Sequence, residues 1–367
     1  MFDRRLVQYF DWWLLCLTII LCSVGLATLY SAVTAGKPDP QKALYVKQMI
    51  WVFTGFVFLI MSFLINYKVL DNWAYIIYVI CMLLLIYVLL FGKYVGGSRR
   101  WLLIGPITMQ PSEIAKVAVI IVFARYFSKL VNTEGLNLRQ LFRPLILAVI
   151  PFALIVKQPD LGTALLILLI AVSITVLIKI KKRTFLYIMV FCTTTLPMIW
   201  FFLKGYQKQR ILTFLNPERD PLGAGYHIIQ SKIAIGSGMI YGKGFLKGTQ
   251  NALSFLPEHH TDFIFSIMAE EWGLVGAGIL LFIFLLLIIW GLNVARVCKD
   301  PFGIILSFGI TAMIFWQAII NIGMVMGLMP VVGVPLPFIS YGGSSVITMM
   351  ICIGILINIS MRQFVHE

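Results

Sequence analysis

The chain has 367 residues, of which 60% are hydrophobic and 12% are charged, and its formal net charge is +14. A soluble domain carries about 25% charged residues, so this chain cannot bury its apolar surface in a water-soluble core and needs lipid as part of its solvent. The basic excess suits anionic lipid headgroups at helix ends better than nucleic acid. We therefore expect a membrane protein with no nucleic-acid partner.

Apolar segments of about 20 residues, the length that a membrane-spanning helix needs, recur along the chain. They predict an all-α integral membrane protein with about ten transmembrane helices in one polytopic domain, residues 1–367. The run at Leu145–Val156 is short, so it is expected to extend at one end or to stop where the next turn enters the membrane. The predicted spans are Trp12–Val33, Tyr45–Ile65, Trp73–Gly92, Pro111–Leu130, Leu145–Val156, Leu161–Ile178, Thr184–Leu203, Trp272–Ala295, Phe302–Met329 and Ser344–Ser360.

The orientation follows from the basic residues of the short loops, which favour the cytoplasmic side. The cluster Lys179–Arg183 is the firmest anchor, and it places both termini inside. The segment 204–271, between the seventh and eighth predicted helices, then forms a large extracytoplasmic loop. Its stretch Tyr226–Ile240 is too short and too polar to span, and it predicts a short interfacial or re-entrant helix.

Asp262 lies where this polar loop turns into an apolar helix, close to His260. One interpretation is a carboxylate that caps the N-terminus of the helix. The other is a general base at the boundary between water and lipid. The polar residues around Asp262 favour the second interpretation.

Three further charged residues fall near predicted membrane boundaries, where a charge persists mainly if it is paired or functional. Glu113 and Lys116 are three residues apart and share one helix face. They form either a structural ion pair or the lining of a polar cavity. Asp160 follows Gln158-Pro159 and is either the N-cap of the sixth span or a site residue.

Lys243 and Lys247 lie among glycines, a composition that suits either a phosphate cradle or a flexible turn. The six cysteines form no CxxC pair and the four histidines form no HExxH motif, so the sequence contains no dedicated metal motif.

Several short motifs, taken in order and spacing, resemble the SEDS family of bacterial cell-wall glycan polymerases, the RodA, FtsW and SpoVE group. The stretch Tyr226–Gly238, followed by Gly248-Thr-Gln250, favours the RodA branch over the FtsW branch. The resemblance covers nearly the whole chain. The motifs are Arg99-Arg100-Trp101, Gln110-Pro-Ser-Glu-Ile-Ala-Lys116, Gln158-Pro-Asp-Leu-Gly-Thr163, Asp220-Pro-Leu-Gly-Ala-Gly-Tyr226, His260-Thr-Asp-Phe-Ile-Phe265, Ala269-Glu-Glu271, Gly333-Val-Pro-Leu-Pro337 and Ser340-Tyr-Gly-Gly343.

The resemblance implies a peptidoglycan glycosyltransferase that polymerises lipid II at the outer face of the bacterial cytoplasmic (inner) membrane during cell elongation. It implies that Asp262 is catalytic and that Glu113, Lys116 and Asp160 matter for function. His260 and Ser340 belong to the same motifs and are expected to support the site. The implied partners are a class B penicillin-binding protein, which would supply cross-linking, and other proteins of the elongation complex.

On this basis we expect Asp262 to act as general base in an inverting transfer, with diphosphate as the leaving group. A divalent cation, Mg or Mn, is a plausible helper because substrate phosphates can supply part of its coordination. Two other classes stay open: a flippase for lipid-linked precursors, and a non-catalytic scaffold for a penicillin-binding protein. The residues expected to contact the diphosphate are Arg99, Arg100, Lys116, Arg210, Lys243 and Lys247.

Overall fold

The protein folds as a bundle of long helices with one small β-sheet. The computed structural model describes residues 9–35, 42–95, 98–104, 107–130, 135–202, 205–220, 223–252 and 261–362. The helices are α1 (Trp12–Thr34), α2 (Lys42–Leu64), α3 (Lys68–Phe91), α4 (Pro111–Ser128), α5 (Leu138–Lys157), α6 (Leu161–Leu177), α7 (Lys182–Phe202), α8 (Gly205–Leu215), α9 (Ala224–Ser237), α10 (Thr249–Ala252), α11 (Ile264–Val297), α12 (Pro301–Val325) and α13 (Gly343–Arg362).

Seven of the described helices are long and apolar enough to cross a membrane, namely α1, α2, α3, α5, α11, α12 and α13. Helix α6 is apolar but has 17 residues, and α4 carries Glu113, Lys116 and Arg125. Each predicted span overlaps one of the helices. The chain is therefore a multi-pass membrane protein, and the count of ten crossings stays a prediction.

The short predicted span Leu145–Val156 extends at its N-terminal end, because α5 begins at Leu138. Asn137 and Gln140 form a capping box there, in which the backbone N–H of Asn137 donates to Gln140 Oε1 at 2.9 Å. Reciprocal bonds of this kind satisfy N–H groups that a helix start leaves unpaired. Seven residues before Leu145 and one after Val156 bring the helix to 20, the length of a straight span.

The start of α11 differs from one predicted boundary. The loop was expected to run from 204 to 271 and the next span to start at Trp272, whereas α11 begins at Ile264 and has a break at Gly273, beside the predicted start. The turns before the break contain Glu270 and Glu271, both buried.

Helix α11 is broken at Gly273, whose φ of 65° and ψ of −162° lie outside the helical region. The break frees backbone N–H groups, which must find other acceptors. The carbonyl oxygens of Met239 and Ile240 accept from the N–H groups of Leu274 and Val275 at 2.8 and 3.1 Å. The turn after α9 therefore fills the gap in α11 and fixes the two segments together.

A three-stranded antiparallel sheet connects α3 to α4, in a stretch for which the sequence predicted only an outward segment. Its strands are β1 (Lys93–Val95), β2 (Ser98–Ile104) and β3 (Ile107–Met109), in the order β1-β2-β3. The strands are short and are separated by glycine-rich turns. The sequence therefore shows no alternation of apolar and polar residues long enough to predict them.

The core lies around α12 and α13. In their most apolar stretches of 18 residues, 67% and 78% of the residues are buried, compared with 22% in α2. Helix α13 packs against α2, and α12 packs against α4, α6 and α11. Peripheral helices such as α2 and α3 expose large apolar side chains, as expected of surfaces that face lipid.

Asp11 joins three helices at the end of the bundle opposite to the start of α11. Its carboxylate accepts from the N–H of Leu14, at 3.2 Å, and from Trp290 Nε1, at 2.8 and 2.9 Å. Ser360 Oγ donates to the same carboxylate at 3.3 Å. The start of α1 and the C-terminal parts of α11 and α13 are thereby fixed to one another.

Candidate active site

Asp262 lies in the turn before α11 and is half-buried. The N-cap of α11 is Phe263, and no side chain makes a capping hydrogen bond there. The N-cap position, which one interpretation of the sequence gave to Asp262, is therefore occupied by Phe263. Its Oδ2 atom points toward Gly333, where an added Cβ would lie 3.2 Å from it.

Asn321, on the last turns of α12, holds the backbone of Asp262 in place. Its Nδ2 group donates to the carbonyl oxygen of Asp262 at 2.9 Å and to that of Val334 at 2.7 Å. Asn321 has no exposed surface, and a buried amide stabilises a fold when its donors are satisfied. It therefore ties the turn before α11 to the segment between α12 and α13.

Ser340 makes a second tie between the same two segments. Its hydroxyl donates to the carbonyl oxygen of Thr261 at 2.6 Å and accepts from the N–H of Leu336 at 2.8 Å. Gln48, buried on α2, donates to the carbonyl oxygen of Ser340 at 3.3 Å and accepts from the N–H of Gly342 at 3.2 Å. The segment 330–342 is thus held from both sides, beside Asp262.

Asp160 caps the N-terminus of α6, as one interpretation of the sequence predicted. Its carboxylate accepts from the N–H of Thr163 at 3.3 Å and from its hydroxyl at 2.9 Å. Gln110 Nε2 donates to the same carboxylate at 3.1 Å, and the N–H of Gln110 donates to Ser344 Oγ at 3.0 Å. These contacts connect the starts of α4, α6 and α13.

Arg100 fixes the turn that precedes Asp160. Its Nε donates to the carbonyl oxygen of Gln158 at 3.0 Å, and one terminal nitrogen donates to that of Pro159. Behind this turn, α6 approaches the segment 330–342 so closely that a Cβ at Gly162 would lie 2.6 Å from the carbonyl oxygen of Val332. Arg100 and Asp160 therefore lie on the same end of the bundle as Asp262.

Glu113 and Lys116 form a buried ion pair, with 2.9 Å between Lys116 Nζ and Glu113 Oε1. The side chains are 0% and 3% exposed for Lys116 and Glu113, so Lys116 cannot reach a phosphate in this conformation. Among the described residues, Glu113 Oε2 has no hydrogen-bond partner. The geometry favours the ion-pair interpretation of these two residues.

The other basic candidates differ in their surroundings. Arg99 is exposed and donates to the carbonyl oxygen of Leu90 at 3.0 Å. Lys247 is exposed, and Arg210 is half-buried on α8. Lys243 instead forms an ion pair with the buried Glu270, with 2.7 Å between Nζ and Oε1. Arg99 and Lys247 are therefore the most accessible of this set.

The described residues contain no group of three or more His, Cys, Asp or Glu side chains that could hold a metal ion. His260 lies outside the described residues. A divalent cation therefore stays a prediction of the sequence.

Sequence reasoning missed Gln48, Asn321 and Ser344, which connect the segments around Asp262. Two of them carried a signal, because Gln48 and Asn321 are amides within apolar spans, where polar residues are rare and functional. Tyr341, in the same region, is partly buried, and burial raises the pKa of its hydroxyl, which stays protonated at neutral pH.

The fold and these contacts define a multi-pass helical membrane protein with a carboxylate held at one end of its bundle. A family model described as "Cell cycle protein", FTSW_RODA_SPOVE, matches residues 11–364. The chain belongs to this family, and the resemblance seen in the motifs is confirmed.

Relatives and solved structures agree with that assignment. The chain is 46% identical over 306 residues to the peptidoglycan glycosyltransferase MrdB of Escherichia coli K12, covering 83% of this chain and 82% of MrdB. It is 33% identical to the peptidoglycan glycosyltransferase RodA of Treponema pallidum, covering 98% and 99%.

Two solved structures share the fold over 97% of this chain and 98% of theirs. One chain comes from a peptidoglycan synthase complex that coordinates polymerization and crosslinking, with a TM-score of 0.82 and 29% identity. The other is the rod shape determining protein RodA of Thermus thermophilus, with a TM-score of 0.71 and 26% identity.

Proposed function

We propose that the chain, a peptidoglycan glycosyltransferase of this family, polymerises lipid II into glycan strands at the outer face of the bacterial cytoplasmic membrane during cell elongation. The observation that carries the proposal is the placement of Asp262. It lies one residue before Phe263, the N-cap of α11, and its carboxylate lies against a loop that is fixed from two sides. The names of the relatives supply the reaction class.

The reaction joins two lipid-linked disaccharides. A hydroxyl of the acceptor sugar attacks the anomeric carbon of the donor, a new carbon–oxygen bond forms, and the bond to the diphosphate breaks. The leaving diphosphate takes the electron pair of that bond. Because diphosphate is a good leaving group, it needs cations to balance its charge rather than a strong acid.

Asp262 is proposed to take the proton of the acceptor hydroxyl as that hydroxyl attacks. A direct displacement inverts the anomeric centre, so an α-linked donor gives a β-linked glycan. The two-carboxylate arrangement of glycoside hydrolases is not required here, because the diphosphate replaces the leaving oxygen that those enzymes protonate. A positioned base contributes about 10²–10⁴-fold to a rate.

The backbone around Asp262 is held by Asn321 and Ser340, both buried. A catalytic group works best when its own position is fixed before the substrate binds, because no ordering is then needed during the reaction. This arrangement supports Asp262 as the catalytic carboxylate more strongly than Asp160 or Glu113. Asp160 caps a helix and Glu113 is paired with a lysine.

Cations for the diphosphate are proposed to come from the accessible basic residues, Arg99 and Lys247. Arg100 shares a strand with Arg99 and keeps further guanidinium donors beyond the two that bind carbonyl oxygens. Lys116 is proposed to act through the stability of the helix bundle rather than by contact. A divalent cation would have to be held largely by substrate phosphates, and we assign no step to it.

The class B penicillin-binding protein is the proposed partner for cross-linking. The chain contains no S-x-x-K motif and no K-T-G motif of the transpeptidase type. The solved peptidoglycan synthase complex combines polymerization with crosslinking. We also propose the inner membrane as the location, with both termini on the cytoplasmic side, from the distribution of basic residues in the short loops.

The test is polymerisation of purified lipid II by the purified protein, with and without a divalent cation, for the wild type and Asp262→Ala. We expect glycan polymer from the wild type and none from the variant at equal membrane expression. A flippase predicts lipid II transfer across vesicles without polymer, and a scaffold predicts that Asp262→Asn still supports growth. Full polymerisation by Asp262→Ala would contradict the proposal.

A further inference from the structure

We infer that Lys243 and Glu270 form a positioning pair, which fixes the first turns of α11, directly after Asp262, and does not contact the diphosphate. This inference rests on the proposed function, because it assigns how the catalytic carboxylate is held. It also changes the sequence-based expectation that Lys243 binds phosphate.

Glu270 is the centre of this arrangement. It has no exposed surface and follows Asp262 by about two helical turns on α11. Its Oε1 atom accepts from Lys243 Nζ at 2.7 Å, from the N–H and hydroxyl of Thr249 at 2.8 and 3.0 Å, and from the N–H of Gln250 at 3.1 Å. This single carboxylate oxygen therefore holds both ends of the segment 243–250 against α11.

Lys243 is bound to α11 through its backbone as well as its side chain. Its N–H donates to the carbonyl oxygen of Glu270 at 3.0 Å, and the N–H of Gly244 donates to that of Glu271 at 3.0 Å. Its ammonium also donates to Thr249 Oγ1 at 2.7 Å. Two of the three ammonium donors are therefore used within the protein, which leaves little for a phosphate.

The charge of Glu270 explains why a lysine is needed at position 243. A buried carboxylate without a counter-charge is strongly unfavourable, and removing one partner of a buried pair leaves the other uncompensated. Lys243 is the cation that the described residues place on Glu270. Without it, the buried carboxylate would have no counter-charge, and the bonds that hold Thr249 and Gln250 against α11 would be weakened.

Glu270 connects the segment 243–250 to the helix that follows Asp262. Thr249 and Gln250 are bound to Glu270, and Glu270 lies on α11, whose first residue, Ile264, follows Asp262 by two positions. A displacement of Glu270 therefore moves the start of α11 beside Asp262, and small misplacements of a catalytic group can cost about 10²-fold in rate.

The experiment is a double-mutant cycle in steady-state polymerisation of lipid II by the full-length protein. The variants are Lys243→Met, Glu270→Gln and the double variant. Glutamine is chosen at position 270 because its oxygen can still accept from the backbone N–H groups while the negative charge is lost. We expect each single variant to lower kcat about tenfold with KM within about twofold, the signature of lost positioning rather than lost binding. The kcat of the double variant should be no lower than that of the less active single variant, because the two residues act as one unit.

Three variants make the result interpretable. Lys243→Arg keeps the charge and should recover most of the activity. Lys247→Met, at an exposed candidate for substrate contact, should raise KM equally in the wild-type and Glu270→Gln backgrounds. Lys129→Met, at an exposed lysine that ends α4 on the end of the bundle opposite to Asp262, should leave kcat and KM unchanged.

The inference is overturned if Lys243→Met raises KM with kcat unchanged and does so fully in the Glu270→Gln background, because Lys243 would then bind substrate directly. It is also overturned if both single variants keep kcat within twofold of the wild type. Failure of the proposed function gives a different pattern, namely an Asp262→Asn protein that polymerises normally.

Discussion

The Oδ2 atom of Asp262 lies so close to Gly333 that a Cβ atom on this glycine would be 3.2 Å from it. Gly333 also has a φ of 73°, in the left-handed region that residues with a side chain rarely adopt. Both its conformation and its neighbour therefore require glycine. The loop between α12 and α13 is fitted to the carboxylate at the start of α11.

Replacing Gly333 with alanine tests this fit. Gly333→Ala is expected to cost about 1–2 kcal/mol in backbone strain and to push the Asp262 carboxylate from its position. Because a small misplacement of a catalytic group can cost about 10²-fold in rate, we expect polymerisation of lipid II to fall at least tenfold while the protein still folds. The measurement is kcat alongside the thermal unfolding midpoint.

Gly278→Ala is the matched control, because a Cβ there would meet no atom within 4 Å and Gly278 lies on α11 beyond the break. It should keep both activity and stability. Equal activity of the Gly333→Ala and Gly278→Ala proteins would show that the fit between Asp262 and Gly333 does not matter.

Asn321→Leu should destabilise the protein and reduce its activity. The change removes the donor that two buried carbonyl oxygens share, those of Asp262 and Val334, and each unsatisfied buried group costs about 1–3 kcal/mol. Thermal unfolding and polymerisation rate, measured on the same preparations, report both effects.

Gln317→Leu, on the same helix, provides the comparison for Asn321→Leu. Gln317 is fully buried, and its side-chain oxygen and nitrogen have no hydrogen-bond partner among the described residues. Replacing such a group with an apolar one should be neutral or stabilising. If Gln317→Leu destabilises the protein as much as Asn321→Leu, the assigned role of Asn321 is wrong.

The ion pair of Glu113 and Lys116 should behave as a structural unit. Lys116→Met alone leaves a buried carboxylate without a counter-charge, and breaking a buried pair in this way costs about 3–5 kcal/mol. The double variant Glu113→Gln/Lys116→Met removes both charges and should recover a large part of that loss. Free energies of unfolding for the two single variants and the double variant measure the coupling.

A contrary outcome for this pair is additivity, in which the double variant loses as much stability as the two single variants combined. A second contrary outcome is a rise in KM for lipid II on Lys116→Met with stability unchanged. That result would place Lys116 in contact with substrate, as the sequence alone allowed.

The sequence predicted the helices well because a helix that crosses lipid needs a long, continuous apolar stretch, which is visible in the sequence. Trp12–Val33 and Leu161–Ile178, for example, differ from α1 and α6 by one residue at the C-terminal end. The helical turns before Trp272 were not predicted from the sequence. They hold the buried Glu270, and its partners Lys243 and Thr249 are distant from it in sequence and close only in the folded protein.

The candidate site was predictable in its residues but not in their roles. Asp262 and Asp160 gave the same signal, a carboxylate at the start of an apolar run, yet Asp160 occupies the N-cap position of its helix and Asp262 lies one residue before that position. The difference depends on contacts with Gln110 and with the loop between α12 and α13, which are distant in sequence. Lys243 and Lys247 likewise share a glycine-rich setting, but one is paired and the other is exposed.

The most direct measurement is the single-turnover rate of glycan transfer at saturating lipid II for Asp262→Asn. Asparagine keeps the size of the side chain and cannot act as a base at neutral pH. We predict a fall of about 10²–10⁴-fold in the rate, with the affinity for lipid II within about threefold of the wild type. A rate within tenfold of the wild type, with lipid II bound normally, would contradict the assignment of Asp262 as the base.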